Sequence, residues 1–339
     1  MSWDLKMKNF SLREHPWLST FLLTFLWGII SFVSRSAAFA DETSVSRMRP
    51  MLGTYVEITV QGLELGAANR AIESAFAAIE EVDRCLSSHR PDSELNAINA
   101  AAGTRAIAVS PWTYECIALA LKTGEESDGA FDITCRPILD LWGFVRKERY
   151  HLPTQHEIDL VLPLVNYRNV LLLKNNFSAQ GILQPPYELG QYRVGLLRSG
   201  MKLDVGGIGK GFAADKAVET LKAAGVTMGL VHVGGDLRGF GLRKWKVGIA
   251  NPSDPHKTLA RLDIQDEAVS TSGNYENFFE VNGHRYTHII NPKTGWPVHR
   301  FHSFSVRAPE GVLADAWSTA LFVNPKMKPP TSVRVVDIR

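Results

Sequence analysis

The sequence has few cysteines and no excess of charge of either sign. Only Cys85, Cys116 and Cys135 occur in 339 residues, and no two of them have the C-x-x-C spacing of a metal site. An odd, sparse set is no disulfide framework, so we expect buried thiols, with room for one bridge at most in an oxidising compartment. The 37 basic and 35 acidic side chains give a net charge of +2 and form no basic run. We therefore expect no nucleic-acid partner.

The first forty residues differ in composition from the rest of the chain. Three basic residues precede the apolar stretch Trp17–Val33, and Ala38-Phe39-Ala40 is the small-x-small pattern that signal peptidases cut. The stretch is shorter than the ~20 apolar residues of a membrane span. We predict a signal peptide at residues 1–40, a mature domain at 41–339 and export of the protein. The alternative is an uncleaved segment that anchors the chain to the inner membrane.

Strand and helix patterns alternate along the mature chain. β-Branched runs predict strands, apolar residues three and four apart predict helices, and Asn282-Gly283 predicts a hairpin. The predicted strands are Thr54–Val60, Leu203–Val205, Thr227–Val233, Trp245–Ala250, Arg261–Ile264, Asn277–Val281, His284–Ile290 and Ser303–Ala308. The predicted helices are Ala67–Leu86, a short one from Asp92–Glu94, Ser110–Thr123, Phe212–Ala224 and Gly311–Val323. This mixture favours an α+β fold; residues 146–201 indicate only loops and short strands.

A glycine-rich turn at Gly206–Gly211 stands between a predicted strand and a predicted helix. Glycines there let the backbone approach a phosphate, and a helix N-terminus favours negative charge. The turn is not a Walker loop, because no Ser or Thr follows Gly209-Lys210, and Phe212 replaces the third glycine of a dinucleotide fingerprint. Such a turn is often only a tight connection. Asp204 beside it favours a ligand site, because a carboxylate can bind a polar edge or a cation.

Asp315 and Thr319 lie four residues apart on the last predicted helix. On one helical face they offer two oxygens to a hard cation such as Mg²⁺. The structural alternative is a helix-start carboxylate and a hydroxyl bonded to its own backbone, and the spacing alone favours that alternative.

Aromatic and histidine residues supply two further candidate groups. Ala130-Phe131-Asp132 and the aromatics of Leu141–Phe144 could stack on a planar ring, although such pairs are more often core. Four histidines surround residues 291–297, namely His284, His288, His299 and His302. A zinc site is the alternative, but the spacing matches no familiar zinc pattern. A single working histidine, His288, is the preferred interpretation.

The order of these motifs resembles that of the ApbE family, the FAD:protein FMN transferases. The resemblance runs from about Arg49 to Val323. It is carried by seven collinear blocks: LGTYVEI at Leu52–Ile58, SHRPDSELNAIN at Ser88–Asn99, GAFDIT at Gly129–Thr134, LDVGGIGKGFAAD at Leu203–Asp215, VHVGGDLRGFG at Val231–Gly241, AVSTSGNYENFFEVNGHRYTHIINPKTGWPV at Ala268–Val298 and LADAWSTALFV at Leu313–Val323.

The resemblance implies a fold related to T-fold proteins and a reaction that moves FMN from FAD to a Ser/Thr of a partner protein, releasing AMP. The implied FAD contacts are Leu52, His89, Ala130, Phe131, Asp132, Asp204, Lys210 and Ile289. Asp315 and Thr319 would hold Mg²⁺ through side-chain oxygens, and Gly207 through its carbonyl. His288 would lie nearest the chemistry, as the base toward the acceptor hydroxyl.

Three departures from the family pattern stand out. Leu52 replaces a usual Met, His89 replaces a common Tyr, and the sequence after Val323 lacks the closing helix that the family predicts. The first two changes touch the implied flavin site, so His89 should bind flavin less tightly or in a different way.

The implied acceptor is a flavoprotein of a membrane redox complex in the periplasm. Candidates are subunits of sodium-pumping or electron-bifurcating-type NADH complexes and the flavoprotein that serves nitrous-oxide reductase. Three alternatives stay open: an FAD pyrophosphatase that uses water and gives FMN and AMP, a periplasmic flavin-binding protein without turnover, and a zinc protein.

Overall fold

A computed structural model describes residues 44–145, 150–174, 191–251, 254–273, 277–298 and 303–336. The predicted signal peptide at residues 1–40 lies outside the described residues, as do His299 and His302. All described elements belong to one unit, Thr43–Arg339. Within these ranges, no helix is long and apolar enough to cross a membrane.

Helices and strands are interspersed along the chain. The helices are α1 (Leu65–Leu86), α2 (Glu94–Ala100), α3 (Pro111–Glu126), α4 (Arg136–Trp142), α5 (Gln155–Val161), α6 (Gly209–Ala223) and α7 (Gly311–Val323), with 3₁₀ turns at Leu162–Leu164 and Tyr167–Asn169. The strands are β1 (Val45–Met51), β2 (Thr54–Gln61), β3 (Ile107–Val109), β4 (Val170–Lys174), β5 (Tyr192–Leu196), β6 (Met228–Val233), β7 (Asp236–Phe240), β8 (Trp245–Asn251), β9 (Asp254–Ile264), β10 (Ala268–Gly273), β11 (Phe278–Val281), β12 (His284–Thr287), β13 (Ser303–Ala308) and β14 (Arg334–Val335). The predicted α+β class is confirmed.

The largest sheet has seven strands in the order β1-β2-β6-β7-β10-β13-β14, and every neighbouring pair is antiparallel. Helix α1 packs on α6, α6 packs on α7, and α7 packs on β10 and β13. The main apolar core lies between these helices and the sheet. A three-stranded sheet, β3-β5-β4, and the pairs β8-β9 and β11-β12 complete the sheets of the described chain.

Two tight hairpins follow from residues that adopt positive φ. Asn282 and Gly283 join β11 to β12 at φ values of 52° and 77°, which confirms the predicted hairpin. Leu52 and Gly53 join β1 to β2 at φ values of 54° and 69°. Positive φ is unusual for leucine, because its side chain crowds the backbone there.

Serine caps begin two of the predicted helices. Ser93 Oγ accepts a hydrogen bond from Asn96 N (3.1 Å) at the start of α2. Ser110 Oγ accepts one from Thr113 N (3.3 Å) at the start of α3, where Pro111 takes the first helical position. Each hydroxyl satisfies a backbone donor that has no partner within its helix. Both predicted helix starts are confirmed.

The prediction that Leu203–Val205 ends a strand is wrong. The segment lies in no sheet, because other groups take its backbone hydrogen bonds. The Asn99 side chain accepts from Leu203 N (2.6 Å) and donates to Leu203 O (3.1 Å), and Asp204 N donates to Ile133 O (2.7 Å). Helix α6 also begins at Gly209, three residues before the predicted start.

Several elements had no counterpart in the sequence prediction. Helix α5 lies in the segment interpreted as loops and short strands, although Thr154 and Glu157 form a capping box whose T-x-x-E pattern is visible in the sequence. Strands β1 and β10 and helix α4 were also missed. No helix follows α7 in the described residues, as predicted, and β14 pairs with β13 there.

All three cysteines lie in the described part of the chain and are free thiols, as expected. Cys85 and Cys116 are buried, whereas Cys135 is half-buried. Burial raises the pKa of the Cys85 thiol to about 11, which disfavours the reactive thiolate.

Asp215 of α6 caps α7, the helix that carries the predicted metal ligands. Its carboxylate accepts hydrogen bonds from Gly311 N and Val312 N, both at 2.8 Å, and from Arg238 Nε at 3.1 Å. A negative charge at this helix end complements the helix dipole. The cap comes from a residue distant in sequence, so local sequence does not reveal it.

We expect the Asp215→Asn variant to lose a pH dependence of stability that the parent has. Burial raises the pKa of Asp215 from 3.8 to about 6. A carboxyl group with a raised pKa in the folded state contributes most stability below its ordinary pKa and loses that contribution as pH rises through about 6. The loss is on the order of 3 kcal/mol. Urea unfolding of both proteins at pH 4.5 and 7 measures about 2 kcal/mol of this loss, and equal pH dependence would contradict the assignment.

Candidate active site

The glycine-rich turn brings three sequence motifs together. A methyl group added at Gly207 would lie 3.1 Å from Thr319 Oγ1 and 3.3 Å from Phe131 Cε2. The backbone of the turn therefore contacts both α7 and the loop before α4. The sequence predicted each of these residues separately, and the fold places all three side by side.

Helices α6 and α7 cross at two glycines. A Cβ at Gly211 would overlap the carbonyl oxygen of Gly311 and lie 2.8 Å from Asp315 Cβ. This close approach lets Gly211 N donate a hydrogen bond of 3.0 Å to Asp315 Oδ2. The crossing thus fixes one oxygen of Asp315.

Gly211→Ala should lower the free energy of unfolding by about 3 kcal/mol or more, because the added methyl group meets backbone that can move only if the helices separate. Gly235→Ala is the matched control, since a Cβ there has no neighbour within 4 Å in the described structure. Thermal and urea unfolding of both variants measure the difference. A Gly211→Ala protein as stable as the control would show that the crossing tolerates separation.

Asp315 faces a second buried carboxylate and one ammonium group. Asp315 and Asp236 are 2% and 3% exposed. Lys210 Nζ lies 2.8 Å from Asp236 Oδ2 and 3.6 Å from Asp315 Oδ1. Burial, with the nearby charge of Asp236, raises the pKa of Asp315 to about 7, although Lys210 opposes the shift. When both carboxyl groups are ionised, they outnumber the one ammonium group and leave a net negative charge that favours a cation.

Hydroxyl groups connect the Asp236 carboxylate to Ser318 and Thr319 of α7. Ser270 Oγ donates a short hydrogen bond to Asp236 Oδ1. Ser272 Oγ lies 2.7 Å from Ser318 Oγ and 3.1 Å from Thr319 Oγ1, and Ser318 Oγ donates to Asp315 O (2.8 Å). The oxygens near Asp315 are therefore held by β7 and β10 as well as by α7.

A zinc centre finds no support in the described residues. They contain no group of three or more His, Cys, Asp or Glu arranged to hold a metal ion. His299 and His302 lie outside the described residues. The donors beside Asp315 are oxygens, which suit Mg²⁺ better than the nitrogen and sulfur ligands typical of zinc.

Asp204 lies at the start of the glycine-rich turn. Its Oδ1 accepts from Gly206 N (2.9 Å), and its Oδ2 pairs with Arg136 Nη1 (3.2 Å). Arg136 also binds Asp140 at 3.0 Å. The carboxylate is half-buried, so it is both fixed in position and accessible to a ligand. Arg136 is a partner that the sequence did not predict.

Asp132 is tied into the fold by three hydrogen bonds. Its carboxylate accepts from Thr134 N (2.8 Å), Thr134 Oγ1 (2.6 Å) and Tyr167 N (2.9 Å). Burial raises its pKa, although these hydrogen bonds oppose the shift. The carboxylate shapes the loop that carries Ala130 and Phe131, and its contact with FAD stays a prediction.

Ala130 and Ile289 belong to one buried apolar cluster, which also contains Val298, Phe322 and Val323. The cluster joins the loop before α4 to the segment after β12. Because His288 directly precedes Ile289, this packing places His288 close to the loop that carries Ala130.

His288 directly follows β12 and is held by Asn277. Its backbone N donates to Asn277 O (3.1 Å), and its Nδ1 lies 3.1 Å from the same oxygen. A carbonyl oxygen only accepts, so Nδ1 carries a hydrogen and the neutral ring has its lone pair at Nε2. This tautomer suits a base that acts through Nε2.

An aromatic cluster packs behind the hairpin that carries His288. Trp142 lies 5.4 Å from the ring of Tyr286 and 5.2 Å from that of Trp296, and its Nε1 donates to Gly295 O (2.9 Å). Trp142 and Phe144 are buried there, so the core interpretation of Leu141–Phe144 is confirmed. The cluster fixes the hairpin against α4 and α5.

The two departures from the family pattern lie in turns. Leu52 occupies the β1–β2 turn and packs partly against the main core. His89 is exposed after α1, where its N donates to Ser87 Oγ (3.3 Å). No hydrogen bond or ion pair of the described residues links His89 to Asp315, Lys210 or His288. Flavin contacts by Leu52 and His89 stay predictions.

Sequence reasoning missed Asp236, Ser270, Ser272 and Ser318. Asp236 followed a Gly-Gly pair and was interpreted only as part of a turn. Ser270 and Ser272 alternate along β10, so they point to one face of that strand. Because β10 itself was not predicted, the placement of Ser270 and Ser272 on one face of a strand was overlooked.

The chain is similar to known proteins over most of its length. Residues 52–334 match the ApbE family. The FAD:protein FMN transferase of Escherichia coli (strain K12) is 30% identical over 291 residues, which are 84% of this chain and 79% of that protein. The FAD:protein FMN transferase of Treponema pallidum (strain Nichols) is 34% identical over 296 residues, with 82% and 78% covered.

Solved structures give the same result. The ApbE protein of Thermotoga maritima has a TM-score of 0.73 at 30% identity, covering 83% of this chain and 86% of that chain. The flavinyl transferase ApbE of Pseudomonas stutzeri has a TM-score of 0.69 at 27% identity, with 83% and 84% covered.

Proposed function

Because the chain belongs to the ApbE family and is an FAD:protein FMN transferase, we propose that it uses Mg²⁺ to move FMN from FAD to a serine or threonine of an acceptor protein. AMP is the leaving group. The observation that carries the proposal is the meeting of Asp315, Thr319 and Lys210 at the glycine-rich turn.

The donor set beside Asp315 fits Mg²⁺. Asp315 offers a buried carboxylate and Thr319 a hydroxyl beside Gly207, whose carbonyl is the third donor that the family resemblance implies. One protein carboxylate with neutral oxygens is typical of Mg²⁺ sites that share a phosphate-bearing substrate. When bound, the cation neutralises negative charge on the phosphoryl oxygens.

The glycine-rich turn suits the pyrophosphate of FAD. Helix α6 begins at Gly209, and the positive end of its dipole favours an anion. Lys210 in the same turn adds a positive charge that could contact a phosphate. We assign Asp204, fixed by Arg136, to a polar edge of FAD, in agreement with the family pattern.

The bond-making step needs a base for the acceptor hydroxyl. The hydroxyl oxygen attacks the phosphorus of the FMN half, the bond to the AMP half breaks, and the hydroxyl proton passes to His288 Nε2. The Nδ1 contact with Asn277 O supports this tautomer. The proposed flavin contacts are Ala130, Phe131, Ile289, Leu52 and His89. Of these, Ile289 directly follows His288 in the chain, and Ala130 belongs to the same buried cluster as Ile289.

Mass spectrometry of the acceptor tests the proposed function. The mature protein is incubated with FAD, Mg²⁺ and candidate acceptor domains, and both acceptor mass and released AMP are measured. Covalent FMN on an acceptor together with AMP supports the proposal. Free FMN and AMP with an unmodified acceptor would establish the pyrophosphatase instead, and FAD bound without AMP release would establish a binding protein.

We propose that the protein works in the periplasm on a membrane redox complex. The basic start, apolar run and Ala38-Phe39-Ala40 motif support export with cleavage after Ala40. The expected N-terminus of the periplasmic protein is Asp41, which mass spectrometry of fractionated cells measures. An intact N-terminus in the membrane fraction would indicate an anchor, and recovery in the cytoplasm would contradict export.

A further inference from the structure

Lys210 lies between two buried carboxylates, and its ammonium group is closer to one of them than to the other. Its ammonium is 2.8 Å from Asp236 Oδ2 and 3.6 Å from Asp315 Oδ1. The three groups come from different elements, since α6 carries Lys210, β7 carries Asp236 and α7 carries Asp315. The packing of these three elements therefore determines how far the ammonium group lies from each carboxylate.

Asp236 is held rigidly on its other side. Its Oδ1 accepts the hydroxyl hydrogen of Ser270, and the side chain is almost completely buried. Residues Gly234 and Gly235 form the turn before it, and Gly234 packs against Thr54 with a φ of 61°. A fixed carboxylate oxygen at 2.8 Å forms a close ion pair with the ammonium group in a buried site.

The ammonium of Lys210 competes with a cation for Asp315. Asp315 Oδ2 already accepts from Gly211 N, and Oδ1 is the oxygen that faces Lys210. In a buried site an ammonium that closed fully on Oδ1 would neutralise Asp315 and repel a divalent cation. An acid that draws the ammonium away preserves the negative charge of Asp315.

We propose that Asp236 is a positioning residue that holds Lys210 away from Asp315 and so keeps Asp315 able to bind the divalent cation. The inference rests on the proposed function, because it takes Asp315 as a metal ligand. It assigns to Asp236 an effect on metal affinity that acts through Lys210.

A double-mutant cycle on Mn²⁺ affinity tests the proposal at saturating FAD, without an acceptor protein, because the proposed site shares the phosphates of FAD. Mn²⁺ is titrated into the parent, Asp236→Asn, Lys210→Met and the double variant, with binding followed by electron paramagnetic resonance. Asp236→Asn should weaken binding about 10- to 100-fold, as is usual when a partner behind a metal ligand is removed. In the Lys210→Met background the same change should cost less than about threefold, because no ammonium remains to be positioned.

Glu267→Gln is the matched control. Glu267 is also a buried acid paired with basic side chains, Arg307 and Arg334, but it lies outside the Lys210 group. It should leave Mn²⁺ affinity unchanged, and thermal unfolding in EDTA shows whether each variant is folded.

Two results would overturn the role of Asp236 while leaving the metal site intact. One is an unchanged affinity in Asp236→Asn. The other is an equal loss with and without Lys210, which would mean that Asp236 attracts the cation directly. Failure of the parent to bind Mn²⁺ would instead overturn the metal site, and the role of Asp236 with it.

Discussion

Asp315→Asn is expected to lower single-turnover FMN transfer on the order of 10³-fold at saturating FAD, with the fold intact. The loss has this size because a bound divalent cation stabilises charge on the phosphoryl oxygens by several kcal/mol. Asparagine keeps the shape of the side chain and can still accept from Gly211 N. Quenched-flow measurement of AMP release at increasing Mg²⁺ gives the rate.

The free energy of unfolding of Asp315→Asn shows whether its lost activity comes from a lost metal ligand or from an unfolded protein. The raised pKa of Asp315 means that its contribution to stability is present below about pH 4 and is lost as pH rises through about 7. At pH 8 in EDTA, the uncharged asparagine variant should therefore be at least as stable as the parent. Only the parent should gain stability from Mg²⁺. Full turnover of Asp315→Asn at limiting Mg²⁺ would remove Asp315 from the metal site.

His288→Ala should bind FAD nearly as well as the parent but transfer FMN about 10²-fold or more slowly. A general base typically contributes ~10²–10⁴-fold, and the lower end corresponds to ~3 kcal/mol in the barrier. FAD affinity from fluorescence quenching and AMP release in a single turnover, measured on one preparation, separate binding from chemistry. The transfer rate of the parent should rise with pH, because only the neutral imidazole accepts a proton.

His284→Ala is the control for this experiment. His284 is exposed on the same hairpin, at the start of β12. It should keep both FAD affinity and transfer rate. Normal AMP release by His288→Ala with intact FAD binding would remove His288 from the mechanism and leave the cation and the aligned substrates as the main catalysts.

Local sequence predicted the elements whose signals are complete within a few residues. The Asn282-Gly283 turn, the Ser93 and Ser110 caps and the apolar face of α1 each specify their own conformation. The strand prediction at Leu203–Val205 was wrong because the Asn99 side chain takes the backbone hydrogen bonds of Leu203 that a neighbouring strand would otherwise take. A side chain 104 residues away leaves no trace in the local pattern.

The site was predictable only as separate motifs. The i, i+4 spacing of Asp315 and Thr319 gave two candidate ligands, and Gly206–Gly211 gave a candidate phosphate turn. Asp236 and its hydroxyl partners were missed because their significance depends on contact with Lys210 and α7. An isolated Gly-Gly-Asp predicts a turn and nothing more.

The sequence by itself determined the α+β class, the free thiols, the hairpin and the family, because periodicity, capping and motif order are properties of the chain alone. The tertiary structure decided which charged side chains lie next to one another. Two glycines, Gly211 and Gly311, let α6 and α7 approach until Asp315 meets Lys210 and Asp236 in a buried site. Burial weakens the screening of these charges and raises the pKa of Asp315. That burial, which no local pattern records, is the physical basis of the cation site that we propose at these three charged residues.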